Sequence, residues 1–248
     1  MRPEVLYRKT WPNGFADKHV KEFSDYAMKQ CPKEACAFFI DGSLVFVANI
    51  SQNPFEEFEL SPQDSALQLK AQAFLHSHPH GSLAPSQVDM ISQKSSKIPF
   101  GIATCTPDSC SLPVFFSDTN LSLELVERPF IHGIFDCYSL IRSYYFQNRD
   151  ILLADCPRDD KWWEEIETYP DLYLKSFEKW NFSEISKTEE MKEGDVIMMN
   201  IQSGSIVSHA GVYTQNGLIL HHLCNRISRL EPAPPWKKFF HTVVRFNG

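Results

Sequence analysis

Apolar positions along the first half of the chain recur in two alternating periods. Between Asp17 and Gln30, Val20, Phe23 and Ala27 fall on one side of a helical repeat, which predicts a helix. Ala35–Ile40 is a short apolar run. Asp41-Gly42 is a turn signal, and Leu44–Ile50 runs back, so the three predict a hairpin. Ser61-Pro62-Gln63-Asp64 combines a capping serine, a first-turn proline and an acid, which predicts a helix to about Gln72. Ala73–His76 then reads as a strand, Ser86-Gln87-Val88-Asp89 as a second capped helix start, and 100–104 and 111–116 as strands. The polar stretch before Pro129 predicts a linker over 118–128 between domains 1–117 and 129–248. Beyond it come a helix over 137–148 and a helical region over 160–180. Strands follow over 196–201, 209–214, 218–222 and 241–246, with a hairpin at Asn216-Gly217. The first half alternates strands and helices, an α/β pattern. The second places helices before antiparallel strands, an α+β pattern.

The chain's 248 residues are 43% hydrophobic and 22% charged, the balance of a globular protein able to bury sizeable cores. A net charge of −7 argues against non-specific nucleic-acid binding, which needs a basic surface. No apolar run reaches the roughly 18 residues of a membrane span. The opening Met1-Arg2-Pro3-Glu4 leads into no apolar stretch, so no secretory signal is expected. Seven scattered cysteines read as free thiols of a reducing compartment, six of them buried as small hydrophobes.

His76 and His78 are two residues apart on an extended segment, so their imidazoles project the same way. Asp89, in the first turn of the next helix, adds a carboxylate. Two nitrogens and one oxygen leave a fourth tetrahedral position for water, the pattern of a catalytic zinc site. Glu34, ahead of the first strand, is the candidate base. Ser86 and Asp89 are equally an ordinary capping pair. The set His76, His78, Pro79, Ser86 and Asp89, with Pro32–Cys36 upstream, resembles the JAMM (MPN) zinc metallopeptidase signature. The resemblance implies a cytidine-deaminase-like fold, zinc on His76, His78 and Asp89, Glu34 as base, and Ser86 as hydrogen-bond donor to the oxyanion. His80 is extra to the pattern and is expected to face solvent or substrate.

Cys137 opens a helix after Asp136, where the positive end of the helix dipole favours thiolate. His209 begins a strand, and His221 lies roughly opposite on the returning one, a base and a third polar group for a thiol nucleophile. His222 is the alternative third residue, although strand alternation favours His221. The arrangement resembles the NlpC-type papain-like cysteine peptidases, with Cys137 as nucleophile, His209 as base and His221 third. Tyr138 stands where that family has a small serine, and no upstream tyrosine appears between Pro129 and Phe135.

The two domain types in one chain resemble the tail tip assembly proteins of lambda-like siphophages. That resemblance implies work in the host cytoplasm with other tail tip proteins, and a thiol site acting on peptidoglycan stem peptides. A non-catalytic assembly chaperone remains the alternative. A cellular deubiquitinase suits the second domain poorly.

Overall fold

The computed structural model describes residues 2–248 apart from His80, Ile166, Pro170 and the stretches 186–189 and 202–205. The expectation for His80 therefore lies outside the described residues. The chain divides into two compact units, Met1–Asn120 and Leu121–Gly248. No described helix is long and apolar enough to cross a membrane.

The first unit runs α1 (Pro3–Lys9), α2 (Asp17–Gln30), β1 (Cys36–Ile40), β2 (Ser43–Val47), α3 (Pro62–Ser65), β3 (Ala73–Pro79), α4 (Gln87–Ser96), β4 (Phe100–Cys105) and β5 (Val114–Phe116). Its sheet has the order β2-β1-β3-β4-β5, with β3 and β4 parallel and the other pairs antiparallel. Asp41 and Gly42 both take positive φ (48° and 76°), the backbone that a two-residue hairpin turn requires. Phe15, Phe23, Phe39 and Phe115 are buried in one apolar cluster. The parallel pair needs a crossover, which α4 supplies.

Two expectations for this unit change. The helix over 61–72 is one α turn followed by a 3-10 stretch, Ala66–Leu69. None of its residues is buried and Leu69 is 86% exposed, so no apolar stripe sustains further turns. The thiols are not all free, because Cys105 and Cys110 form a disulfide. The return between them is closed by a hydrogen bond from Thr106 N to Ser109 O (2.8 Å), and a β-bridge sets the two cysteines opposite each other. Of the other five, Cys224 is exposed and Cys31 half-buried, so fewer are buried than expected.

The second unit contains α5 (Cys137–Arg149), α6 (Leu172–Lys179), β6 (Phe182–Glu184), β7 (Val196–Met199), β8 (His209–Thr214), β9 (Leu218–His221), β10 (Arg229–Pro232) and β11 (Phe240–Phe246). These six strands form one antiparallel sheet, β10-β9-β8-β7-β11-β6. Every residue of α5 from Cys137 to Tyr145 is buried, so this helix is a central element rather than a surface one. Asn216 and Gly217 turn the β8–β9 hairpin with φ of 61° and 71°.

The helical region expected over 160–180 shrinks to a 3-10 turn, Trp162–Glu164, and α6. Lys161 and Asp171 sit in the left-handed region, and a proline at 170 opposes a continuous helix. Strand β10 was not anticipated. The stretch 121–128 is built into this unit rather than serving as a free linker. Leu121 and Arg128 are buried, and the Arg128 guanidinium donates to Leu123 O (2.7 Å), Ser143 Oγ (3.0 Å) and Glu124 O.

Candidate active sites

In the first unit the carboxyl end of β3 and the amino end of α4 meet. Alternation along β3 sends both imidazoles to one side, with His76 Nε2 3.1 Å from His78 Nε2. Asp89 Oδ1 is 3.4 Å from His76 Nε2, and Oδ2 is 3.6 Å from His78 Nε2. Among the described residues these three form a set of donors able to hold one metal ion. Ligand atoms about 2.0–2.1 Å from one tetrahedral zinc stand about 3.3 Å apart, close to these separations. His78 Nδ1 lies 2.8 Å from Ser82 O, a carbonyl that only accepts, so the proton sits on Nδ1 and Nε2 keeps its lone pair. The donor set therefore fits zinc.

Asp89 is set by its helix cap. The Ser86 hydroxyl donates to Asp89 Oδ2 (2.8 Å) and accepts from Asp89 N, while Ser86 N donates to the same Oδ2 (2.9 Å). Burial pushes the Asp89 carboxyl up, but His76, His78 and the Ser86 amide hold it well below the usual carboxylate range. The hydroxyl proton expected to meet an oxyanion is thus already committed to Asp89. The capping and metal readings coexist, since the cap aims the carboxylate.

Glu34 comes to this site through strand register. Cys36 pairs with His76, Ala35 N donates to Ser77 Oγ (2.8 Å) and Ser77 N to Ala35 O (3.0 Å). Glu34 is 5% exposed. Burial raises its pKa against the pull of His76 and His78, as suits a group that takes up and releases a proton.

In the second unit Cys137 and His209 line one cleft with Trp162, Tyr173 and His222. Asp136 caps α5 by accepting from Ser139 N (2.9 Å), and it also accepts from Gly133 N (2.8 Å) and the buried Arg158. The Cys137 sulfur lies 3.3 Å from the Tyr173 hydroxyl, and the Ala210 amide also faces it. The helix-terminal dipole favours a lowered pKa for this thiol. Instead burial, with Asp136 alongside, pushes it up to about 11, and Tyr173 and Ala210 offset only part of that rise.

His209 Nε2 is 3.2 Å from His221 Nδ1, so the expected base meets its expected partner. Gly211 lies opposite His221, where a Cβ would stand 3.0 Å from the His221 Cβ. The missing side chain leaves that imidazole room. Burial, then His221 and His222, hold His209 neutral by lowering its pKa well below 6.5. His222 does not take the third place, because its Nε2 is turned to Arg226 O (3.0 Å).

Residues 127–245 match the NlpC/P60 family. The tail tip assembly protein K of Escherichia phage N15 is 30% identical over 239 residues, covering 93% of this chain and 95% of that protein. The chain belongs to the tail tip assembly protein K family. The phage lambda protein of the same name is 28% identical over 201 residues, covering 76% of this chain and 90% of its own. A solved NLP/P60-family protein of Staphylococcus aureus is 21% identical, covers 54% of this chain and 43% of its own, and has a TM-score of 0.34.

This family member also carries two residues the motifs did not signal. Tyr173 comes from α6, where no spacing links it to Cys137, and Glu231 lies on the unanticipated β10. Removing the Tyr173 hydroxyl should raise the Cys137 pKa further. For Tyr173→Phe, Cys137 alkylation by iodoacetamide at pH 9 is expected to slow about tenfold, one lost hydrogen bond to a charged group. Peptide mapping against Cys31 and Cys224 measures that rate, and an unchanged rate would remove Tyr173 from the site.

Proposed function

We propose that this chain is a phage tail tip assembly protein carrying two hydrolytic sites. The first unit acts as a JAMM-type zinc (iso)peptidase and the second as an NlpC-type cysteine endopeptidase of peptidoglycan stem peptides. It works with other tail tip proteins in the host cytoplasm. The observation that carries this reading is that Cys137 and His209 both line one cleft, with His209 Nε2 on His221, inside the NlpC/P60 match.

In the first unit His76, His78 and Asp89 would hold zinc, which supplies Lewis acidity for hydrolysis when bound. Glu34 holds a proton at its carboxylate and passes it on, while Ser86 keeps Asp89 oriented. In the second unit His209 takes the Cys137 proton, the sulfur forms an acyl-enzyme, and His209 returns the proton to the leaving amine. Tyr173 and the Ala210 amide donate toward the sulfur.

A scaffold with silent sites is the second reading, favoured by the Cys137 thiol lying buried with its pKa at about 11. The two are separated by incubating purified tail tip proteins and muropeptides with wild type, Glu34→Gln and Cys137→Ala. Under the hydrolytic reading each variant abolishes one distinct set of cleavages in the mass spectrum. Identical spectra for all three, with tail assembly intact, leave the scaffold.

A further inference from the structure

The polar contacts of the thiol site continue beyond His221. His221 Nε2 is buried and has no hydrogen-bond partner at ordinary distance among the described residues. It faces Glu231 Oε2 at 3.5 Å, a separation typical of a resting site whose contacts shorten on substrate binding. Strand register brings the two together. Glu231 pairs with Ile219, two residues from His221 on the same face of the β9–β10 ladder, so a long side chain reaches diagonally across.

The carboxylate is itself fixed. Arg229 Nη1 donates to Oε1 (3.2 Å) and Trp236 Nε1 to Oε2 (3.1 Å), while the Trp236 ring meets the His221 imidazole at 4.5 Å, edge to face.

A carboxylate can only accept. His221 in its neutral form must then carry its proton on Nε2 and present a lone pair at Nδ1. That lone pair, 3.2 Å from His209 Nε2, accepts a proton held there. The one ring nitrogen of His209 left without a proton is Nδ1. Without Glu231 each imidazole could adopt either tautomer, and half of those arrangements place a proton where the base needs a lone pair.

We propose that Glu231 is a positioning residue of the thiol site, fixing the tautomer of His221 and through it that of His209. This rests on the reading of Cys137 and His209 as nucleophile and base. The charged and titratable groups acting on the pair are His222 and Asp136 on His209, and Arg229 with Glu231 on His221.

The test compares Glu231→Gln, Glu231→Asp and His209→Ala in the full chain. One readout is the imidazole nitrogen NMR spectrum and the other the pH profile of Cys137 alkylation by iodoacetamide. A glutamine amide donates as well as accepts, so Glu231→Gln should show mixed tautomers at His209. Its alkylation rate near neutral pH should fall about tenfold, the usual scale for losing an orienting partner, whereas Glu231→Asp should retain the wild-type tautomer. A wild-type His209 protonated on Nδ1, or an unchanged tautomer in Glu231→Gln, overturns the inference while the thiol site stands. An alkylation profile indifferent to His209→Ala removes the underlying reading, and this inference with it.

Discussion

Arg158→Ala is expected to destabilise the second unit by about 3–5 kcal/mol, the usual cost of leaving a buried charge without its partner. Arg158 is fully buried, pairs with Asp136, donates to Cys156 O (2.5 Å) and lies 5.2 Å over the Tyr138 ring. The substitution leaves the Asp136 carboxylate enclosed at the start of α5, with the Gly133 and Ser139 amides and the His132 ring 3.9 Å away but no fixed positive charge beside it. Four of the five tryptophans, Trp162, Trp163, Trp180 and Trp236, belong to this unit, so urea titration followed by tryptophan fluorescence reads it directly. The double variant Asp136→Asn, Arg158→Met should recover part of the loss, because it removes both charges. Burial raises the Asp136 pKa, but Arg158, His132 and the backbone amides outweigh it and hold the carboxyl well below the usual range. A depressed folded value means that its stabilisation is complete above about pH 4 and fades as pH falls further. The single variant should lose that acid dependence. A loss under about 1 kcal/mol would place the pair among contacts of no consequence.

Under the proposed zinc reading, His78→Ala should reduce zinc affinity at least about 100-fold, since it removes one of the three side chains able to hold the ion. Wild type is expected to hold one zinc per chain by elemental analysis. Zinc at about a hundred times its dissociation constant should stabilise the first unit by about 2.7 kcal/mol, and a chelator should reverse this. Binding should weaken as pH falls, beginning above the usual imidazole range: burial lowers the His78 pKa, but Asp89, Glu34 and the Ser82 carbonyl outweigh it and raise the value, and the imidazole must shed its proton to ligate. Asp89→Asn tests the same triad without removing the helix-capping shape. Undiminished zinc in His78→Ala would exclude the triad as the binding site.

Much of both sites was legible because its residues obey local rules. The capping boxes at Ser86 and Asp136 announce α4 and α5 directly. The two-residue spacing of His76 and His78 places them on one side of β3, and Asn216-Gly217 sets the hairpin that returns His221 toward His209. What stayed hidden depends on contacts between distant segments. Tyr173 reaches Cys137 only after α6 packs against α5, as the stacked rings of Tyr138 and Tyr173 show. Strand β10 has four residues and ends in Pro232, too short and broken for a periodicity signal. The direction of the thiol's pKa escapes a local reading for the same reason, since the dipole is local whereas burial belongs to the finished fold.

Under the proposed zinc-peptidase reading, the placement of Glu34 separates two properties of the first unit. His76, His78 and Asp89 belong to one continuous strand-and-helix segment, whereas Glu34 joins them through the pairing of β1 with β3. Loosening the amino-terminal strand would leave the donor triad together while withdrawing the acid. Metal retention and peptide cleavage should consequently be lost at different denaturant concentrations, with cleavage the first to go.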